Sequence, residues 1–127
     1  MKVFTSYFAR INKLKQLGYT DFVAVSGYVP KFYHELMQSD ISFRRMIELA
    51  PKKDWFFRWK NNEFDNNEYI RLYNETVLNV VNFDDIRNRL KEGSVLLCYE
   101  KPTDFCHRHL IADWLNEKGI ECKEIVF

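Results

Sequence analysis

Glycine is scarce in this chain, with four in 127 residues and no two close together, so no glycine-rich phosphate loop can be built. Cysteine is also scarce. Cys98, Cys106 and Cys122 are odd in number and lack framework spacing, which predicts reduced thiols in a cytoplasmic protein. Cys98 and Cys106 stand too far apart in sequence for a usual zinc-ligand pair, and no metal site is expected. No apolar run is long enough to span a bilayer, and the first residues lack a signal-peptide pattern, so no membrane partner is expected. A net charge of +1 gives no global footprint for nucleic acid.

Aromatic and apolar residues are plentiful. Hydrophobic residues make up 46% and aromatics 17%, enough for one domain with one core and for stacking walls around a flat ligand. Charge is uneven along the chain. Residues 44–60 hold Arg44, Arg45, Lys52, Lys53, Arg58 and Lys60, whereas residues 61–85 hold six acidic residues against Arg71 alone. Two solvated faces that attract each other account for this pattern. Lys52, Lys53, Arg58 and nearby aromatics also allow single-stranded nucleic acid to bind, a reading that the net charge does not favour.

Periodicity predicts strands at residues 2–8, 22–25, 95–99 and 120–127. Helices are predicted at 11–17 with Gly18 as stop, at 42–49, at 66–81 on Tyr69, Tyr73, Val77 and Val80, at 83–90, and from about 105 to 118 with Gly119 as stop. Residues 30–37 read as irregular or helical, and 55–59 are ambiguous. Strands alternating with helices imply an α/β domain over residues 1–127, with a mostly parallel sheet flanked by helices.

The most informative stretch is 95–108. An apolar run, Val95-Leu96-Leu97-Cys98, shows no polar alternation, as in a strand buried on both faces. It leads through Tyr99, Glu100 and a turn into Phe105-Cys106-His107-Arg108, at a predicted helix start capped by Thr103 or Asp104. Parallel strands would bring Ser6-Tyr7, Ser26-Gly27-Tyr28 and residues 100–108 to one rim, where α/β sheets bind ligands.

At that rim Cys106 is a candidate nucleophile, since a helix N-terminus and neighbouring His107 and Arg108 favour a thiolate. Glu100 and His107 are candidates to move protons. Arg108 is the candidate grip on a phosphate or carboxylate, with Tyr7, Ser26, Tyr28 and Cys98 around the ligand. The alternatives are a buried apolar Cys106, an Arg108 that clamps loop ends, and a Glu100 paired with Arg108 or Lys101. Position 112, where a cysteine–loop–arginine anion cradle would place its arginine, is alanine. His109 reads as a surface partner of Asp113, and His34 has no visible partner. The expected ligand is an anionic small molecule such as a nucleotide, or a nucleic-acid end. No cofactor is indicated. A non-catalytic nucleic-acid-binding module and a purely structural or interaction role are the rival functions.

The string Leu96-Leu97-Cys98-Tyr99-Glu100-Lys101-Pro102, then Phe105-Cys106-His107-Arg108 and Leu110-Ile111-Ala112-Asp113-Trp114-Leu115, resembles the C-terminal signature of domain of unknown function family 488. Ser6-Tyr7-Phe8, Val25-Ser26 followed by Pro30, and Leu49-Ala50-Pro51 resemble the family's compact form. The resemblance implies one α/β domain with a Rossmann-like sheet. It also implies that Cys98, Glu100, Cys106, His107 and Arg108 occupy motif positions. It associates the chain with nucleotide or nucleic-acid processing and supplies no reaction. Longer members carry an arginine-rich element after an early strand; residues 26–31 here contain no arginine.

Overall fold

Two of the strands are buried at every position, because helices cover both faces of the sheet. A computed structural model describes residues 1–31, 42–101 and 103–127. Its strands are β1 (Lys2–Tyr7), β2 (Asp21–Ala24), β3 (Ser42–Arg45), β4 (Val95–Cys98) and β5 (Glu121–Glu124). They form one all-parallel sheet in the order β3-β2-β4-β1-β5. The described helices are α1 (Ile11–Gln16), α2 (Lys53–Lys60), α3 (Asn66–Tyr73), α4 (Phe83–Arg89) and α5 (His107–Glu117). This is the α/β, Rossmann-like arrangement that the alternating pattern predicts. Among the described residues no helix is long and apolar enough to cross a membrane.

The period of two along each strand sorts side chains between two cores. Phe22, Ala24, Val95 and Leu97 pack with Phe8, Ile11 and Leu14 of the α1 segment. Val23, Val25, Leu96 and Cys98 face the opposite core, with Tyr73, Ile86, Ile111 and Leu115. Gly18 and Gly119 end their helices with φ of 97° and 88°, a conformation that side chains resist. Leu17, the last residue of the predicted helix, is the C-cap and is 54% exposed.

Two predicted elements are corrected and an ambiguous one is resolved. Residues 42–49 are a strand followed by a short 3₁₀ turn (Ile47–Leu49), not a helix. The edge of β2 decides this: β3 pairs with it in register from Asp21↔Ser42 to Ala24↔Arg45, and Arg44 grips the Asp21 carboxylate at 3.0 and 2.7 Å. The predicted helix 66–81 is α-helical only to Tyr73 and continues as a π-helical stretch, Asn74–Leu78. The wider turn shifts the phase of the residues after it, and Val80, expected in the core, is 69% exposed. The ambiguous aromatic run is helix α2. Residues 32–37 of the stretch read as irregular or helical, and His34 with them, lie outside the described residues.

The topology fixes where a ligand can sit. The chain leaving β2 runs outward to β3 at one edge, while the chain leaving β4 crosses to β5 at the other. A crevice therefore opens between the carboxyl ends of β2 and β4, the kind of switch point at which open α/β sheets bind ligands.

Candidate functional site

A cavity of about 270 Å³ lies at this crevice. The chain after β2 contributes Ser26, Gly27 and Tyr28; the chain after β4 contributes Tyr99, Glu100, Phe105, Cys106 and His107. Helix α2 closes the remaining side with Lys53, Phe56, Phe57, Trp59 and Lys60, and Tyr69 of α3 backs it. The aromatic wall is braced by edge-on contacts. The Phe105 ring lies 4.7 Å from Tyr69, and the Trp59 ring lies 4.8 Å from Tyr69. The Lys53 ammonium sits 4.9 Å from the Tyr28 ring centre, and that of Lys60 sits 5.6 Å from the rings of Phe56 and Trp59. Among the described residues neither lysine pairs with a carboxylate.

Helix α5 starts at His107, with Cys106 as an extended N-cap, and not at Phe105 behind a Thr103 or Asp104 cap. The Asp104 amide instead donates to the Lys101 carbonyl at 3.0 Å, which closes a turn before the helix. Ile111, Trp114 and Leu115 form the buried stripe, with Leu110 only half-buried.

His107 is buried, and its Nε2 lies 2.7 Å from the Val25 carbonyl at the end of β2. A carbonyl only accepts, so Nε2 carries the proton and Nδ1 presents a lone pair. That lone pair lies 3.8 Å from the Cys106 sulfur. Burial is the main reason that the imidazole pKa falls to about 4, and Arg108 and His109 add to the effect. His107 is therefore neutral at pH 7.

The Cys98 and Cys106 sulfurs lie against each other, and Cys122 stands apart from them. A strand end and a helix start face each other across a short turn, and the fold closes a distance that sequence spacing alone leaves open. The two sulfurs and a Glu100 carboxylate oxygen lie within 4.8 Å of one another. While the sulfurs are bonded to each other, neither offers a thiolate to a metal ion.

Arg108 does not reach the cavity. It is fully buried, with Nε and Nη2 donating to the Glu124 carboxylate at 3.0 and 2.9 Å. Nη1 donates to the Glu100 carbonyl at 2.6 Å and to the Cys98 sulfur at 2.8 Å. The expected anion grip is thus replaced by a clamp that ties the end of β4 and the start of α5 to β5. Burial pushes the Glu124 carboxyl up, but hydrogen bonds from Arg108 and Thr5 outweigh it and hold the group below its usual range.

Of the other predicted site residues, Ser26, Tyr28, Glu100, Cys106 and His107 share the cavity, and Cys98 is sealed beneath it. Tyr7 is not a wall: its hydroxyl accepts from Arg10 Nε at 2.9 Å, and its ring lies 5.8 Å from the Arg108 guanidinium. Glu100 is half-buried, and among the described residues its carboxylate pairs with neither Arg108 nor Lys101. His109, read as a surface partner of Asp113, is half-buried with its Nε2 unbonded among the described residues.

The two charge blocks are joined only by Arg58–Glu63 at 3.5 Å among the described residues; Arg44 turns to Asp21, and Arg89 to Glu48. Arg58 points to Glu63 and the Phe64 ring, whereas Lys53 borders the cavity, so Lys52, Lys53 and Arg58 do not form one strip.

The family model of the active DUF488-N3 subclade matches residues 9–119. The chain belongs to the DUF488 family. That match spans the cavity and both Cys98 and Cys106. No curated protein and no solved structure matches the chain. In this DUF488 protein, sequence reasoning missed Phe56, Trp59, Lys60, Tyr69 and Phe105 as cavity residues. The available signal was the spacing of Lys53, Phe56, Phe57 and Lys60, which puts lysines and aromatics on one face once residues 53–60 are taken as a helix.

Proposed function

We propose that the cavity binds a planar anionic small molecule, a nucleotide or the end of a nucleic-acid strand. The observation that supports this reading is the placement of α2. It sets aromatic rings and two lysines, without a carboxylate partner among the described residues, over a floor of Cys106, His107 and Glu100. The volume of about 270 Å³ is close to the lower end of ligand pockets, roughly 300–1,000 Å³. A base-sized ring fits inside, and a phosphate would then lie at the mouth near Lys53 and Lys60. Cysteine-dependent chemistry belongs to this reading. In the reduced protein the Cys106 thiol faces the lone pair of His107, and the Val25 carbonyl fixes that ring. Arg108 is a positioning residue for the floor.

The test is calorimetric titration of the reduced protein with nucleoside monophosphates, the matching nucleosides and inorganic phosphate. Nucleotides are expected to bind best, and binding should weaken as salt rises. Trp59→Ala should lower affinity by about 1–3 kcal/mol, the usual loss for one stacked base. The Lys53→Ala/Lys60→Ala double variant should reduce the advantage of nucleotide over nucleoside. No heat from any nucleotide at low salt would discard the reading.

A further inference from the structure

We propose that Cys98 and Cys106 are a reversible redox couple: Cys106 exchanges with small thiols and disulfides through the cavity, and Cys98 is the sealed partner that resolves the exchange. The inference rests on the cavity being a site open to small molecules, because Cys106 lines it.

The two sulfurs lie against each other, yet they sit in different surroundings. Cys106 lines the cavity, while Cys98 is fully buried and lines none of it. A reagent in the cavity therefore meets one sulfur first. Arg108 Nη1 donates to the Cys98 sulfur at 2.8 Å, so the sulfur that leaves when Cys106 is attacked departs onto a guanidinium hydrogen. A leaving thiolate stabilised in this way departs faster. Cys106 is also the N-cap of an eleven-residue helix, whose amide end favours negative charge on its sulfur. The His107 Nδ1 lone pair lies 3.8 Å from the same sulfur and orients a Cys106 thiol as its hydrogen-bond acceptor. Cys122 has no such setting. It is buried, and burial is the main cause that pushes its thiol up to about 12, which leaves it inert.

The exchange balances with a dithiol reductant. One reductant thiolate attacks the Cys106 sulfur, the Cys98–Cys106 bond breaks, and Cys98 leaves as a thiolate. The second reductant thiol then displaces Cys106 and closes the reductant's own disulfide. Two electrons and two protons pass to the protein sulfurs. Glutathione disulfide drives the reverse path and yields two glutathione thiols.

The folded protein is equilibrated in buffers of reduced and oxidised glutathione, quenched, and alkylated with a maleimide in denaturant. Mass spectrometry then counts thiols. The wild type should pass from three alkylated cysteines to one in a single two-electron step, with circular dichroism unchanged. In oxidising buffer Cys98→Ser should take one glutathione on Cys106, and Cys106→Ser should take none on Cys98. Three thiols throughout, a pair reduced only when the protein unfolds, or an adduct on Cys106→Ser in place of Cys98→Ser would overturn the couple. If a variant fails to fold, the wild-type titration decides alone. Calorimetry on the reduced wild type separates the two readings. Nucleotide binding without exchange removes the couple only, and exchange without nucleotide binding removes the ligand reading only.

Discussion

Arg108 has none of its surface in water, and Glu124 answers its guanidinium with both oxygens. Arg108→Ala would leave Glu124 half-buried and unpaired. It should cost about 3–5 kcal/mol in chemical denaturation, the usual loss when one partner of a buried pair is removed. Arg108→Lys should recover only part of this, since a single ammonium cannot reproduce the fork that reaches Glu124, Glu100 and Cys98 together. His107 gives the pH dependence. Its imidazole protonates near 6.5 in the unfolded chain but resists until about 4 when folded. Below pH 6.5 the unfolded state therefore binds more protons, and stability is lost as pH falls from 6.5 toward 4. The full loss is about 3 kcal/mol from this residue. Melting curves between pH 7 and about 4.5 should show the decline in the wild type and a flatter profile in His107→Gln. The glutamine can still donate to Val25. Equal slopes in both proteins would reject the neutral buried histidine.

At the scale of elements, the clearest signals are those in which local chemistry and tertiary demand agree. The helix over residues 66–73 has its own cap: the Asp65 carboxylate accepts from the Glu68 amide at 3.0 Å, and Asn82 does the same for the Asp85 amide ahead of α4. Asp65→Ala should cost about 1 kcal/mol, read from denaturant midpoints, while Asp65→Asn should cost less. Elements without local signals are not legible in this way. Ser42-Phe43-Arg44-Arg45 has one apolar side chain and no period of its own, and it is a strand because β2 presents an edge and Asp21 holds Arg44. The sequence places the start of α5 too early because Thr103 and Asp104 are good caps in isolation. The chain instead uses the Asp104 amide in a turn and caps with Cys106, which carries the sulfur toward Cys98.

At the scale of the whole molecule, the sheet separates stability from the site. Leu97 faces the α1 side and Leu96 the side that holds α3, α4 and α5, although they are neighbours in a fully buried strand. Leu97→Ala should destabilise by about 2–5 kcal/mol, as a large-to-small change in a packed core does. Under the proposed function it should leave nucleotide affinity, measured well below the variant's melting point, unchanged, because its face is turned from the cavity. A parallel loss of affinity would show that the two cores do not act separately.

The alternation of strands and helices, the doubly buried 95–98 strand and the crowding of reactive groups at residues 98–108 were set by the sequence, because each is a short-range pattern of side-chain type. Composition alone excluded a glycine-rich phosphate loop. What only the tertiary structure decided is which of those groups meet. Arg108, adjacent to Cys106 and His107 in sequence, turns the other way to a carboxylate sixteen residues later on β5. Lysines and aromatics from α2, more than forty residues upstream, take the place beside Cys106 that Arg108 was expected to fill. The physical reason is that a charge leaving water goes to the strongest partner the fold supplies. That partner belongs to another strand, and no local pattern encodes it.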